Sequence, residues 1–165
     1  MHILHGEITR GFGLASHNLA HVVPLICART GIRRVTPGTL NVRLPASYLV
    51  EPEAVVSVEE YDGNEHLKLQ RCVVGGIQAV IVRPHQHETV PGWGHGPSHL
   101  ELVSAVHLRS ALGLTDGAAL RVEVGGDSAW WAQAQHGGMQ LLKARLDHYV
   151  ERYVRRPLRA PLRAA

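Results

Sequence analysis

The chain has 165 residues, 45% of them hydrophobic and 19% charged, and a net charge of +3. That length fits one domain whose core folds alone, followed by a helical appendage, and excludes a second full domain; the composition excludes a disordered or fibrous chain. No apolar run reaches transmembrane length and MHILHGEITR lacks the apolar centre of a signal peptide, so the expectation is a soluble, cytoplasmic protein that does not use a membrane.

In chain order, residues 2–9 read as a first strand running into a glycine turn, Arg10-Gly11-Phe12-Gly13. From Ala15 to Ala28 the apolar residues Leu19, Val22, Val23, Ile26 and Cys27 recur at helical spacing, with Pro24 expected to kink the helix and Gly31 to cap it. Pro37-Gly38 is turn chemistry ahead of an alternating strand, Thr39 to Leu44. Residues 54–61 and 66–74 flank Asp62-Gly63 and read as a hairpin, and a further strand covers 76–83. The Pro- and Gly-rich segment 84–97 reads as a long loop and a candidate lid. A strand over 99–104, a short helix over 105–112 ending at Gly113, and a closing strand over 118–124 complete the domain, residues 1–126. Many short strands with few helices favour a mainly β fold, a barrel rather than a doubly wound sheet. Beyond Gly126 an amphipathic stripe through QLLKARLDHYVERYV predicts a helix that packs on the barrel or on a second copy of the chain, giving a homo-oligomer. Cys27 and Cys72 stand in separate apolar contexts and read as reduced, buried thiols.

Charge is uneven along the chain. Between Glu7 and Glu51 there is no acid, while Arg10, Arg29, Arg33, Arg34 and Arg43 all fall in that window. An acid-free stretch around a glycine turn suits a polyphosphate, because a neighbouring carboxylate opposes bringing more negative charge in. GFGLAS is not a dinucleotide fingerprint: Ser16 stands where Gly or Ala is required, and no acid follows about twenty residues on. No Gly-Lys-Ser/Thr follows either, so it is not a P-loop. What remains is a turn whose Gly11 and Gly13 let the backbone approach a phosphate. In Gly38-Thr39-Leu40-Asn41, residues two apart on a strand share a face, so the Thr39 hydroxyl and the Asn41 amide oxygen converge as a partial oxygen shell for Mg²⁺, or simply as polar turn residues.

Taken together these motifs resemble the archaeal-type CTP-dependent riboflavin kinases. The similarity covers residues 4–125: a Gly-Glu-Ile strand, the Gly-x-Gly turn, Gly38-Thr39-Leu40-Asn41-Val42, then Ile81-Val82-Arg83-Pro84, a loop containing His95, His99 to Ser104, Leu108-Arg109, Leu112-Gly113-Leu114 and Asp116-Gly117. The resemblance implies a small closed cradle-loop β-barrel that moves the γ-phosphoryl of CTP to riboflavin. It implies that Gly11, Phe12, Gly13, Leu14, Ala15 and Ser16 cradle the phosphates, that Thr39 and Asn41 hold Mg²⁺, and that His107, Leu108, Arg109 and Ser110 contact the nucleotide. Glu101 would contact the flavin and, with Arg109, serve the chemistry; the family's flavin-contacting Thr falls on Trp93 by direct spacing or on Thr89 with a gap. Two departures touch the nucleotide: Leu14-Ala15-Ser16 replaces Gly-Glu-Gly, and His107 replaces Lys.

Three other readings compete. The acceptor is another small alcohol; the barrel is a non-catalytic nucleotide or flavin module; or His85, His87, His95 and His99 bind a metal, since H-x-H on a strand sets two rings on one side. Against the metal, Pro84 and Pro91 mark the segment as loop. The basic tail, Arg152 to Arg163, has no aromatic interleaving and reads as a solvated end rather than a nucleic-acid site.

Overall fold

The structure, a computed structural model, describes residues 2–11, 19–61 and 63–125. Phe12 to Ser16, the first part of the helix expected from Ala15, Asp62 of the expected turn, and the expected C-terminal helix with its basic tail lie outside these residues. Among the described residues there are seven strands, β1 (His2–Thr9), β2 (Leu40–Arg43), β3 (Ala54–Val56), β4 (Leu67–Val74), β5 (Ile77–Pro84), β6 (His99–Ser104) and β7 (Ala119–Val124), and four short helices, α1 (Val23–Thr30), α2 (Val58–Tyr61), α3 (Gln86–Thr89) and α4 (Leu108–Leu112).

Every pairing is antiparallel, in the order β4-β5-β6-β2-β1-β7, and β7 returns to β4, so six strands close into a barrel. Closure leaves these strands no long free edge. One side of β4 is shared: Leu67 to Leu69 pair with β3, and Cys72 to Val74 pair with β7. Ile8, Val42, Ile81, Leu100, Leu102 and Val122 fill the interior, each no more than 1% exposed. A second apolar layer lies outside β4, β5 and β6, where Val22 and Ile26 of the α1 segment meet Leu69, Val80, Val82 and Val103. This explains why β5 is apolar on both faces: one set faces the barrel core and the other faces α1. β1 and β2 contribute nothing to that second layer, and polar side chains gather on their outer face and on that of β6 ahead of Val103.

Local chemistry departs from the sequence reading at four places. Pro24 lies in the first turn of α1, where its missing N–H is no loss, so it starts a helix rather than kinking one; Gly31 at φ 79° closes it. The expected strand over 54–61 ends at Val56, because Ser57 and Glu60 form a capping box: the Glu60 carboxylate accepts from the Ser57 N–H at 2.8 Å and opens α2. β3 and β4 do pair antiparallel as expected, but across a longer connection that holds α2, and the tight hairpin is β4–β5, turned by Gly75 and Gly76, both at positive φ. The segment 84–97 is not wholly loop either, since α3 gives it one helical turn.

Candidate functional site

Three neighbouring strands bring three polar side chains into line. Thr9 of β1 pairs with Asn41 of β2, and Asn41 with Glu101 of β6; one step along, Glu7, Arg43 and His99 form a second row. Ile8, Val42 and Leu100 alternate with these residues and point into the barrel, so the period-two pleat turns both rows outward. Asn41 is nonetheless only 5% exposed. Its Nδ2 donates to the Thr39 Oγ1 at 3.2 Å, while its Oδ1 is buried with no hydrogen-bond partner among the described residues. A buried acceptor without a donor is costly unless something positive meets it. Thr39 and Asn41 therefore fit a partial oxygen shell for Mg²⁺, the remaining ligands coming from phosphate and water. Gly11 presses on the same amide: a Cβ there falls 2.4 Å from Asn41 Nδ2, so Gly11 and the candidate metal residue Asn41 are closely packed.

Beside this unit lies a cationic corner. Arg109 of α4 donates to the Thr9 carbonyl at 3.1 Å and to Asp116 at 2.5 Å, and Asp116 also accepts from Arg10 at 3.0 Å. Hydrogen bonds from Arg109 and then Arg10 hold the Asp116 carboxyl below its usual range. The acid-free window of the sequence is thus completed in space by one acid that orients two arginines. His107 caps α4, its Nδ1 accepting from the Ser110 N–H at 3.3 Å. A depression lined by Pro37, Thr39, Ser104, His107, Leu108 and Arg109 joins the start of α4 to the Thr39 hydroxyl.

Two histidines stand beside the same row, His95 at Glu101 and His99 at Thr9. His95 Nε2 stands 3.9 Å from Glu101 Oε1, and the His95 and His99 rings stack with centroids 4.8 Å apart. His99 Nε2 lies 3.5 Å from Thr9 Oγ1. Burial first, then Arg83, lowers the pKa of His95; burial, His95, Arg43 and Arg83 lower that of His99. Both shifts favour the neutral imidazole and so work against an ion pair between His95 and Glu101. Burial pushes the Glu101 carboxyl above the ordinary glutamate range against the pull of Arg83, with Glu65 adding to the rise. A carboxylate made more basic by burial is suited to accept a proton or a hydroxyl hydrogen bond.

The segment carrying His95 is pinned by a buried ionic knot. Arg83, 1% exposed, donates to the Gly96 and Pro97 carbonyls at 3.0 and 3.5 Å and faces Glu88 at 4.0 Å. Glu88, its side chain 3% exposed, pairs with Lys68 and accepts from the Val50 N–H at 2.7 Å.

The structure thus draws Gly11, Thr39, Asn41, Glu101 and Arg109 to one side of the barrel, with His107 and Ser110 at its margin. It does not do so for the two flavin candidates: Thr89 donates its hydroxyl to the His85 carbonyl, and Trp93 stands 51% exposed. The metal reading of the histidines fails on geometry. His85 and His87 lie on the turn that opens α3 rather than on a strand, so their side chains are not aligned, and among the described residues no group of three or more His, Cys, Asp or Glu is placed to hold an ion. Sequence reasoning missed Thr9 and Asp116. Only strand register reveals Thr9, and Asp116 was read as part of a turn.

The CTP-dep_RFKase family model, described as Domain of unknown function DUF120, matches residues 31–124, more than half of the chain. Among curated proteins, a "Riboflavin kinase" of Thermococcus kodakarensis is 32% identical over 133 residues, 74% of this chain and 58% of that protein. One of Pyrococcus abyssi is 31% identical over 130 residues, 72% of this chain and 57% of its own, and one of Archaeoglobus fulgidus is 33% identical over 98 residues, 53% and 39%. The chain spans about half the length of the curated relatives it matches.

Proposed function

The chain belongs to the CTP-dependent riboflavin kinase family, and from that premise we propose that it transfers the γ-phosphoryl of CTP to the 5′-hydroxyl of riboflavin, giving FMN and CDP. In the transfer the bond from the γ-phosphorus to the β,γ-bridging oxygen breaks, CDP leaves with that oxygen, and the riboflavin oxygen takes its place while losing its proton. Such a reaction depends chiefly on alignment and charge neutralisation. The observation that supports the reading is the cross-strand pairing of Asn41 with Glu101, with the Arg109 corner at Thr9 on one side of Asn41 and His95 at Glu101 on the other.

In this proposal the backbone from Gly11 through Ser16 and the segment from His107 to Ser110 receive the nucleotide. Arg109, fixed by Asp116 and the Thr9 carbonyl, faces the phosphates. Thr39 and Asn41 hold Mg²⁺, which when bound supplies charge neutralisation for the phosphates. Glu101 orients the acceptor hydroxyl and accepts its proton, and of the two flavin candidates Trp93, exposed and aromatic, is better placed to meet a ring than Thr89. The barrel is proposed to act as one domain over residues 1–126, with residues 127–165 as a helical extension that supports self-association. Free Cys27 and Cys72 accord with a cytoplasmic setting. No helix among the described residues is long and apolar enough to cross a membrane.

Two experiments follow. With Glu101 active as the carboxylate, kcat/KM for riboflavin falls as pH drops through its raised pKa, so the acid limb lies above the ordinary value of 4.5. Glu101→Gln is expected to lose about 10²-fold in kcat/KM for riboflavin, to lack that limb, and to leave the KM for CTP unchanged. A variant that keeps the limb, or that loses CTP instead, removes Glu101 from this role. Gly11→Ala drives a methyl into the Asn41 amide and is expected to lower turnover about 10²-fold with the fold retained by circular dichroism. Wild-type turnover in that variant contradicts the coupling of turn and metal residues.

A further inference from the structure

We infer that His95, His99 and Thr9 form a hydroxyl-reading subsite beside Glu101 that selects acceptors carrying a polyhydroxylated chain. The inference rests on the kinase reading above and assigns residues to the part of the acceptor next to the reacting hydroxyl. His99 Nε2 approaches Thr9 Oγ1 at 3.5 Å and His95 Nε2 approaches Glu101 Oε1 at 3.9 Å, so both imidazole edges meet the Thr9–Asn41–Glu101 row. His95 is stacked on His99 with 22° between the planes, and the His87 ring lies near it, edge-on at 6.3 Å and 77°. That arrangement disfavours a planar ligand sandwiched on His95.

The chemistry of the edges suits hydroxyls. A neutral imidazole has one donor and one acceptor nitrogen, and a threonine hydroxyl both donates and accepts, which matches an alcohol group better than it matches a phosphate or a carbonyl. His95 and His99, stacked with centroids 4.8 Å apart, offer hydroxyl-pairing edges at two neighbouring points, a spacing that suits successive hydroxyls of one chain. Arg83, through the Gly96 and Pro97 carbonyls, fixes the backbone on either side of His95 and His99. The subsite is therefore built on the barrel and on an anchored segment.

The test is equilibrium binding followed by quenching of flavin fluorescence, using riboflavin and lumiflavin, the same ring without the ribityl chain. Wild type is expected to favour riboflavin at least about tenfold, and His95→Ala, His99→Ala and Thr9→Val each to lose most of that preference by weakening riboflavin alone. His99→Asn, which keeps a hydrogen-bonding group, is expected to recover part of it, and thermal unfolding checks that each variant is folded. Variants that keep the preference, or lose both flavins equally, overturn the subsite, as does a wild type that binds both flavins alike. A folded wild type that binds neither flavin overturns the kinase reading itself and the subsite with it.

Discussion

Replacing Thr39 and Asn41 together with Ala is expected to bring Mg²⁺-dependent phosphoryl transfer to background, a loss on the order of 10³-fold or more, while leaving the barrel folded. The reason is the state of Asn41: its Oδ1 is buried and unpartnered, and its Nδ2 is tied to Thr39. A polar oxygen kept in that condition contributes nothing to stability, so removing it does not destabilise the fold. Val42 and Leu40, which alternate with these residues and fill the core, are untouched by the substitution. The checks are turnover across a Mg²⁺ titration and the thermal unfolding midpoint. Turnover that persists in the folded variant contradicts the metal assignment, and a large drop in the midpoint contradicts the claim that these side chains serve function rather than stability.

The largest effect on stability is expected from Glu88→Gln. Glu88 and Arg83 are 3% and 1% exposed at their side chains, and Glu88 also holds Lys68 and the Val50 N–H. Removing the carboxylate strands a buried guanidinium, which costs about 3 kcal/mol or more. Replacing both partners, Arg83→Met with Glu88→Leu, removes the unpaired charge and is expected to recover most of the loss, since Lys68 at 21% exposure still reaches water. Urea unfolding of Arg83→Met, Glu88→Leu and the double gives the coupling directly. A Glu88→Gln variant within 0.5 kcal/mol of wild type, on the scale of an ordinary surface substitution at about ±0.5 kcal/mol, contradicts the ionic knot. Because Arg83 holds the Gly96 and Pro97 carbonyls, the same variant is also expected to weaken the acceptor side of the site near His95.

What could be read from the sequence follows from how local each signal is. β2 and β6 declare themselves by alternation, and the Gly-Thr-Leu-Asn run points to Thr39 and Asn41 because a two-residue period is a local property. The Ser57–Glu60 capping box was equally local and overlooked, which turned α2 into a supposed strand. Closure of β7 onto β4 and the register that sets Thr9 beside Asn41 beside Glu101 join residues up to about ninety apart, and no short-range pattern encodes them. Asp116 shows the same limit in electrostatics: an acid-free window along the chain does not foresee an acid brought to it across the fold. The histidines of 85–99 invited a metal because H-x-H was judged as strand spacing. The helical turn of α3 removes that alignment and leaves His95 and His99 as a stacked pair beside Glu101.

The central claim is tested most directly by incubating the purified chain with riboflavin, Mg²⁺ and, in parallel, CTP, ATP, GTP or UTP, and following FMN by chromatography. The account predicts FMN formed preferentially from CTP. No FMN from any of the four donors, in protein shown to be folded, would contradict it.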